Sequence, residues 1–349
     1  MRRSAVTLGE VADWHNLAEA FYRAALGKRH RAEVQHFAAD LEGELARLRA
    51  DILAGTVAVG RGRRFRIHDP KPRTIHAPCF RERVLHQAIM AHVGPVLDRA
   101  LVDDTYACRT GKGTLAAVRR AQHHARRWPW WCKIDIGAYF ASIDHSILKA
   151  LLARKLRDPG LLALLGRIID AHAHAHAHAH ADADAPGRGL PIGALTSQQF
   201  ANFYLGGLDR LLLEQCRVRG LVRYMDDLVW WGDSRAEARA ALVAARAYCG
   251  DALHLTVKQP AFVGRTAGGV MLCGYRVLPG RLLLSRRRRH RYAGRRRHWE
   301  RLYAEGVIDA LGLQAGYSAA LGITLHAAAG DWRREQLRRT PLAGPLAAL

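Results

Sequence analysis

The stretch Leu221-Val-Arg-Tyr-Met-Asp226-Asp227-Leu-Val-Trp-Trp231 sets an acidic pair between two β-prone apolar runs, the pattern of a hairpin with carboxylates at its tip. Asp is also common in ordinary solvated turns, so the pair takes its meaning from what surrounds it. Upstream, Trp131-Cys-Lys-Ile-Asp135-Ile-Gly-Ala-Tyr-Phe140 opens on a short apolar strand with Asp135 near its end. Carboxylates on adjacent strands can together hold two Mg²⁺ ions, which take oxygen ligands and keep coordination positions for substrate phosphates. One ion would activate an attacking hydroxyl and the other would stabilise a leaving pyrophosphate, in an in-line displacement at phosphorus.

The rest of the chain suits a phosphate-rich partner. Its 349 residues carry 54 Lys+Arg against 31 Asp+Glu, a net charge of +23. A field of that sign draws in polyanions, nucleic acid before an anionic membrane. A 49% hydrophobic share with 24% charged residues belongs to an ordered protein of two or three subdomains. The first thirty residues hold no apolar signal-peptide core, and the longest uncharged run, Gly189 to Leu208, is broken by Pro191, Gln198, Gln199 and Asn202; the expectation is a cytoplasmic protein without a membrane span. Cys79, Cys108, Cys132, Cys216, Cys249 and Cys273 form no C-x-x-C pair and read as reduced packing residues.

Periodicity predicts an amphipathic helix from Val34 to Ala54, a basic hairpin from Arg61 to Ile75 turning at Pro70-Lys71-Pro72, a helix from Arg81 to Leu101 and a basic helix ending at Arg127. Gly111-Lys-Gly-Thr114 lacks the upstream glycine of a P-loop, and that motif is rejected. The tract at 171–185, Ala-His repeats and then Ala-Asp, reads as an expanded surface loop; as a strand it would set five histidines on one side, where they could bind a metal. Nine arginines lie between Arg286 and Arg301, interleaved with His290, Tyr292, His298 and Trp299. A solvated helix face is the plain reading of such a run, but the aromatic interleaving and whole-chain charge favour a phosphate-backbone surface at Arg286, Arg287, Arg288, Arg289, Arg295, Arg296 and Arg297.

Tyr224-Met-Asp-Asp227, the upstream Asp135-Ile-Gly-Ala-Tyr-Phe140-Ala-Ser-Ile-Asp-His145 and Gly189-Leu-Pro-Ile-Gly-Ala-Leu-Thr-Ser-Gln-Gln-Phe-Ala-Asn-Phe-Tyr204 together resemble the boxes of the reverse transcriptases. The resemblance runs from about Phe21 to the end. Within that family, Ile192, Gly193, Ser197 and Gln198 resemble the enzymes of diversity-generating retroelements, as do Asp69-Pro-Lys-Pro-Arg-Thr-Ile75, Tyr106-Ala-Cys-Arg-Thr-Gly-Lys-Gly-Thr114 and Gly274-Tyr-Arg-Val277. Ala194 replaces a usual Asn or Ser, the Ala-His tract looks like an insertion, and Val257-Lys-Gln-Pro-Ala261 blurs a lysine-rich segment, which leaves Lys258 a weak candidate for the acid that protonates pyrophosphate.

The resemblance implies an α+β right-hand polymerase with a ferredoxin/RRM-like palm sheet. Fingers would take residues 1–127 and an insertion at about 150–188, the palm 128–277 and an arginine-rich thumb 278–349; the succession of strands and helices in the palm is also readable from periodicity. It implies Asp135 and Asp226 as metal ligands with Asp227 in support, the Ile136 carbonyl completing one shell, and two Mg²⁺ ions and dNTPs as cofactor and substrates. Arg73, with Lys71, would grip the triphosphate. Phe140 would exclude a 2′-hydroxyl. Gly193 and Gln198 would line the nucleotide site beside Ile192, which offers only apolar contact where most relatives have Gln, so fidelity would be low. Partners would be template RNA, the RNA/cDNA duplex and a small basic accessory protein. Another bacterial reverse transcriptase, defence-associated or like those of retrons and group II introns, is the nearest alternative; a non-catalytic RNA-binding relative and a metal-dependent nuclease are the more distant ones. The residues after Val277 are expected to form the thumb, leaving target cleavage and template removal to other proteins.

Overall fold

The apolar runs around the acidic pair form strands because both of their faces find cover. The computed structural model describes residues 3–68, 72–171 and 187–340. Strands β3 (Trp130–Ile134), β4 (Gly220–Tyr224), β5 (Asp227–Gly232) and β6 (Phe262–Arg265) make an antiparallel sheet in the order β4-β5-β3-β6. With the helices between β3 and β4 and the helix Arg235–Asp251 between β5 and β6, the succession is βαββαβ. Alternate residues divide between two cores. Leu221, Leu228, Trp230, Cys132 and Ile134 face the larger one, which includes Leu242 and Ala245; Val222, Val229 and Trp231 face the other, under the helix Thr114–Arg127. Burial on both sides explains why the segment reads as an apolar run rather than an alternation.

The long helix Phe80–Ala100 carries a large share of the larger core. On it pack the helices Trp14–Ala25, Ala32–Ala39 and Leu41–Ala54, with the rings of Phe21, Phe37 and Phe80 5.3–5.9 Å apart. The helix expected over Val34–Ala54 is therefore two. Asp40, at φ −130° and ψ 54°, breaks the first, and its carboxylate accepts from the Gly43 amide to cap the second, an arrangement that competes with a continuous helix. The basic hairpin forms as expected from β1 (Gly62–Ile67) and β2 (Arg73–Pro78), with β1 exposed along its whole length. Lys71 and the tract at 172–185 lie outside the described residues.

A third sheet, β7 (Val270–Leu272), β8 (Tyr275–Val277) and β9 (Leu282–Leu284), joins the smaller core. After it come the helices Arg286–Ala304, Ala310–Gly322 and Gly330–Arg339. All six cysteines are free thiols, and among the described residues no helix is long and apolar enough to cross a membrane.

Two histidines are buried uncharged. His86 is enclosed in the long helix, and His124 lies against the Trp231 ring at 5.2 Å. Burial lowers both pKa values to about 4 from an unfolded value near 6.5. The unfolded chain binds the extra protons, so the stability these groups contribute is complete above about pH 6.5 and is lost as pH falls toward 4. The loss is about 2 kcal/mol for each histidine at pH 5. Denaturant unfolding at pH 7.5 and 5.0 should show this fall, and His124→Phe, which keeps a ring against Trp231, should remove roughly half of it; an unchanged pH slope in that variant would refute the assignment.

Candidate active site

The site is built where strands β3, β4 and β5 end together. A two-residue turn, Met225-Asp226, joins β4 to β5, with Tyr224 paired to Asp227. Met225 takes a left-handed φ of 58°, a conformation that costs an L-residue roughly 1–2 kcal/mol. The β3–β5 register ends at Ile134↔Leu228, and continued by one residue it sets Asp135 alongside Asp227. Past β3 the chain is held by residues 256–258: the Gly137 amide donates to the Thr256 carbonyl at 2.8 Å and the Lys258 amide to the Asp135 carbonyl at 2.9 Å, around an Ile136↔Val257 bridge.

The three carboxylates repel one another. Burial raises the pKa of Asp226, and the charges of Asp135 and Asp227 raise it further; Asp227 is also raised by burial. Two lysines offset the charge, Lys258 with Nζ 2.7 Å from Asp135 Oδ2 and Lys133 with Nζ 2.7 Å from Asp227 Oδ1. Among the described residues no three His, Cys, Asp or Glu side chains converge to enclose an ion. The donor chemistry nevertheless fits a hard divalent cation that keeps phosphate or water ligands: carboxylate oxygens of Asp226 and Asp227 whose pKa values are raised by burial first and by neighbouring carboxylates second.

A buried guanidinium fixes the turn from below. Arg223, wholly buried, forks onto Asp209 (Nε–Oδ1 2.7 Å, Nη2–Oδ2 2.7 Å), which is buried too. It also donates to both oxygens of Asn202, at 2.9 Å each, and to the Met225 carbonyl at 3.1 Å. Asn202 in turn donates to the Ala107 carbonyl at 2.7 Å. One cation thus links the turn, the helix Leu195–Tyr204 and the loop leading to Gly111-Lys-Gly. Tyr224 is tied to that loop's end by a 3.3 Å contact with Thr114 Oγ1.

Of the predicted nucleotide residues, Phe140 and the loop bearing Ile192 and Gly193 are tied together by backbone hydrogen bonds. Gly189 and Leu190 donate to the Ile143 and Phe140 carbonyls at 2.8 and 2.7 Å, and the Ile192 carbonyl accepts from the His76 amide of β2 at 2.8 Å. Gly193, at φ 124°, is required there, because a Cβ would stand 2.5 Å from the His76 carbonyl. Phe140 is half-buried against Tyr139. Gln198 faces the Cys108 thiol at 3.7 Å. Arg73 stands exposed at the far end of β2, opposite Ile67, apart from the ion pairs that Lys133 and Lys258 make with the carboxylates.

The arginine helix departs from its reading as a uniform contact surface. Arg286, Arg287, Arg289, Arg295 and Arg297 are exposed, but Arg288 stacks over the Tyr275 ring at 4.1 Å and bonds its hydroxyl at 2.8 Å. Arg296 is buried, paired with Glu300 at 3.1 Å and donating to Thr340 at 2.7 Å. These two arginines hold the C-terminal helices together rather than facing a ligand, because each finds internal acceptors within reach.

Sequence reasoning missed Lys133 and Arg223. Lys133 lies two residues before Asp135, the same side of an extended strand, and Arg223 is a charge within an otherwise buried run, a position that demands a partner; both signals were present.

A family model described as "Reverse transcriptase (RNA-dependent DNA polymerase)" matches residues 67–259. The chain is 25% identical over 212 residues to "Protein YkfC" of Escherichia coli (strain K12), covering 59% of this chain and 54% of that protein. It is 23% identical over 144 residues to "Group II intron-encoded protein LtrA" of Lactococcus lactis subsp. cremoris, covering 41% and 23% respectively. It is 26% identical over 142 residues to an "Uncharacterized 91 kDa protein in cob intron" of Schizosaccharomyces pombe, covering 41% and 17%. The chain thus spans between about a sixth and about half the length of these relatives.

Arg223→Met should cost about 3–5 kcal/mol, because Asp209 is left charged and buried without a partner. Arg223→Met/Asp209→Leu should recover part of that loss. Denaturant midpoints decide it: a single variant as stable as the parent, or a double variant no better than the single, contradicts the proposed role.

Proposed function

The chain belongs to the reverse transcriptase family, and on that premise we propose that it is an RNA-directed DNA polymerase that extends a primer on an RNA template by nucleotidyl transfer. One observation carries the reading: the end of β3 before Asp135 and the β4–β5 turn bearing Asp226 and Asp227 lie at the same end of the sheet, with the acidic pair's pKa values raised by burial and by the neighbouring carboxylates. Asp135, Asp226 and the Ile136 carbonyl would hold Mg²⁺, with Asp227 in support. Mg²⁺ bound there would supply charge stabilisation to the phosphoryl oxygens and acidify the attacking hydroxyl. Crowding of carboxylates prepares the site for such a cation, since ion binding relieves a repulsion the protein itself maintains.

In this reading the β3–β6 sheet is the palm, the β1–β2 hairpin and N-terminal helices are fingers, and the helices from Arg286 onward are a thumb. Arg73 and Lys71 would receive the triphosphate. Phe140 lies under the sugar as a gate against a 2′-hydroxyl. Lys258, held 2.7 Å from Asp135, would be the proton donor to pyrophosphate once that carboxylate held a cation instead. Neutral contact at Ile192, whose backbone is pinned by His76, leaves base-pair geometry without a polar check, which supports error-prone copying of a retroelement template for diversification of a target gene. Template RNA, the RNA/cDNA duplex and a small basic accessory protein are the partners of that reading.

A second reading, an intron-associated reverse transcriptase, draws support from the names of two relatives, one intron-encoded and one located in an intron. The flanking DNA separates the two: a template repeat and a variable repeat belong to the first, intron boundaries to the second.

Primer extension on an RNA template with Mg²⁺ and dNTPs should give cDNA from the native protein and lose it by at least a hundredfold (~3 kcal/mol of transition-state stabilisation) in Asp226→Ala/Asp227→Ala; equal cDNA from both would refute the polymerase reading. Sequencing of the product should show errors concentrated at template adenines, reduced in Ile192→Gln, and an unchanged error spectrum in that variant would exclude Ile192 as the fidelity determinant.

A further inference from the structure

The helices Arg286–Ala304 and Gly330–Arg339 enclose a groove of about 370 Å³ lined by Arg286, Arg289, His290, Trp332, Gln336 and Arg339 along with Ala293. Among the described residues no carboxylate lines it. Its aromatic lining residue, Trp332, is half-buried, with its ring against Tyr292 at 5.4 Å and 64°. Its rim is cationic. Arg286 Nε lies 3.4 Å from His290 Nε2, and Arg339 is paired with Glu335 at 2.7 Å just outside the groove. The partners leave the guanidinium groups of Arg286, Arg289 and Arg339 exposed, each able to meet an anion with its remaining donors.

We propose that this groove binds one unpaired nucleotide of a single-stranded polynucleotide, its base on Trp332 and its phosphates on Arg286 and Arg289. Three features together specify that ligand. A half-buried indole in the groove lining can stack a flat base that is free to leave its strand, whereas a base paired in a duplex cannot turn into a groove. Cations at the rim stand where the flanking phosphates of such a base would run. Gln336 and His290 offer polar groups at the base edge without a fixed donor–acceptor pattern, so binding should tolerate any base. The exposed arginines alone would serve a duplex backbone equally well; the half-buried indole among them discriminates. This site rests on the nucleic-acid reading of the C-terminal helices, but it is separate from the carboxylates and has its own assay.

The test uses the full chain and a fluorescently labelled oligouridine, with binding read by anisotropy against salt and compared with a blunt-ended duplex. Trp332→Leu should weaken single-strand binding about tenfold and leave duplex binding within about twofold. Arg286→Ala/Arg289→Ala, surface changes that leave the Trp332–Tyr292 contact in place, should weaken it also and lower the salt slope by about two. Trp332→Phe should retain most of the affinity, and it decides the matter if Trp332→Leu does not fold. Native single-strand affinity in the arginine pair, equal losses for strand and duplex in Trp332→Leu, or displacement of the oligonucleotide by polyglutamate as readily as by unlabelled RNA would each overturn the proposal, the last by assigning the groove to an acidic protein. Primer extension on a saturating preformed template–primer, run in parallel with the native protein, keeps the two readings apart: its absence would defeat the polymerase reading while the binding data still judged the groove.

Discussion

The buried pair of Arg223 and Asp209 is the constraint on which the site depends. A turn of two residues with Met225 at φ 58° is a strained connection that a hairpin in isolation would relax. It persists because its carbonyl is bonded by a guanidinium that is itself locked on both sides, by Asp209 and by Asn202. Arginine suits this position better than lysine: its planar fork meets a carboxylate in two places and still has donors for three further oxygens. The ion pair need not add net stability, since desolvation opposes attraction. What it adds is a defined height for Asp226 relative to the helix that bears Gln198 and to the loop that bears Cys108.

Above that anchor the charges are left unbalanced. Asp226 and Asp227 are raised by burial and by neighbouring carboxylates, a cost a purely structural cluster would have shed. Lys133 and Lys258 temper it, one from the same strand as Asp135 and one from the segment hydrogen-bonded to it. Each lysine therefore arrives by backbone register rather than by chance proximity, and each sits where a change in the charge on its carboxylate would free it.

The positive charge of the chain is not one surface. Some of it is internal scaffolding, as Arg223, Arg288 and Arg296 show. Some is spread along the exposed strand β1, and some lines a groove together with Trp332. Net charge of +23 accounts for attraction to phosphate at a distance; which arginine touches a ligand is settled by whether an internal acceptor claims it first.

Local patterns carry the elements and the order of the chemical groups: the hairpin with its acidic pair, the strand before Asp135, the helix from Arg81 to Leu101 and the basic hairpin are all written in a chain without reference to its partners. Asp40 shows the limit of periodicity, since a helical spacing of leucines continued across a residue whose side chain preferred to cap. Membership of the family was legible from three ordered boxes, because residue types and their order are carried by the chain itself. Tertiary structure alone decided that Lys133 and Lys258 neutralise Asp227 and Asp135, that Gly193 lies against His76, that Arg288 and Arg296 turn inward, and that Trp332 and Arg286 share a groove. Those pairings join residues up to 123 positions apart, and such contacts depend on how buried faces pack, a property of the assembled core that no local pattern encodes.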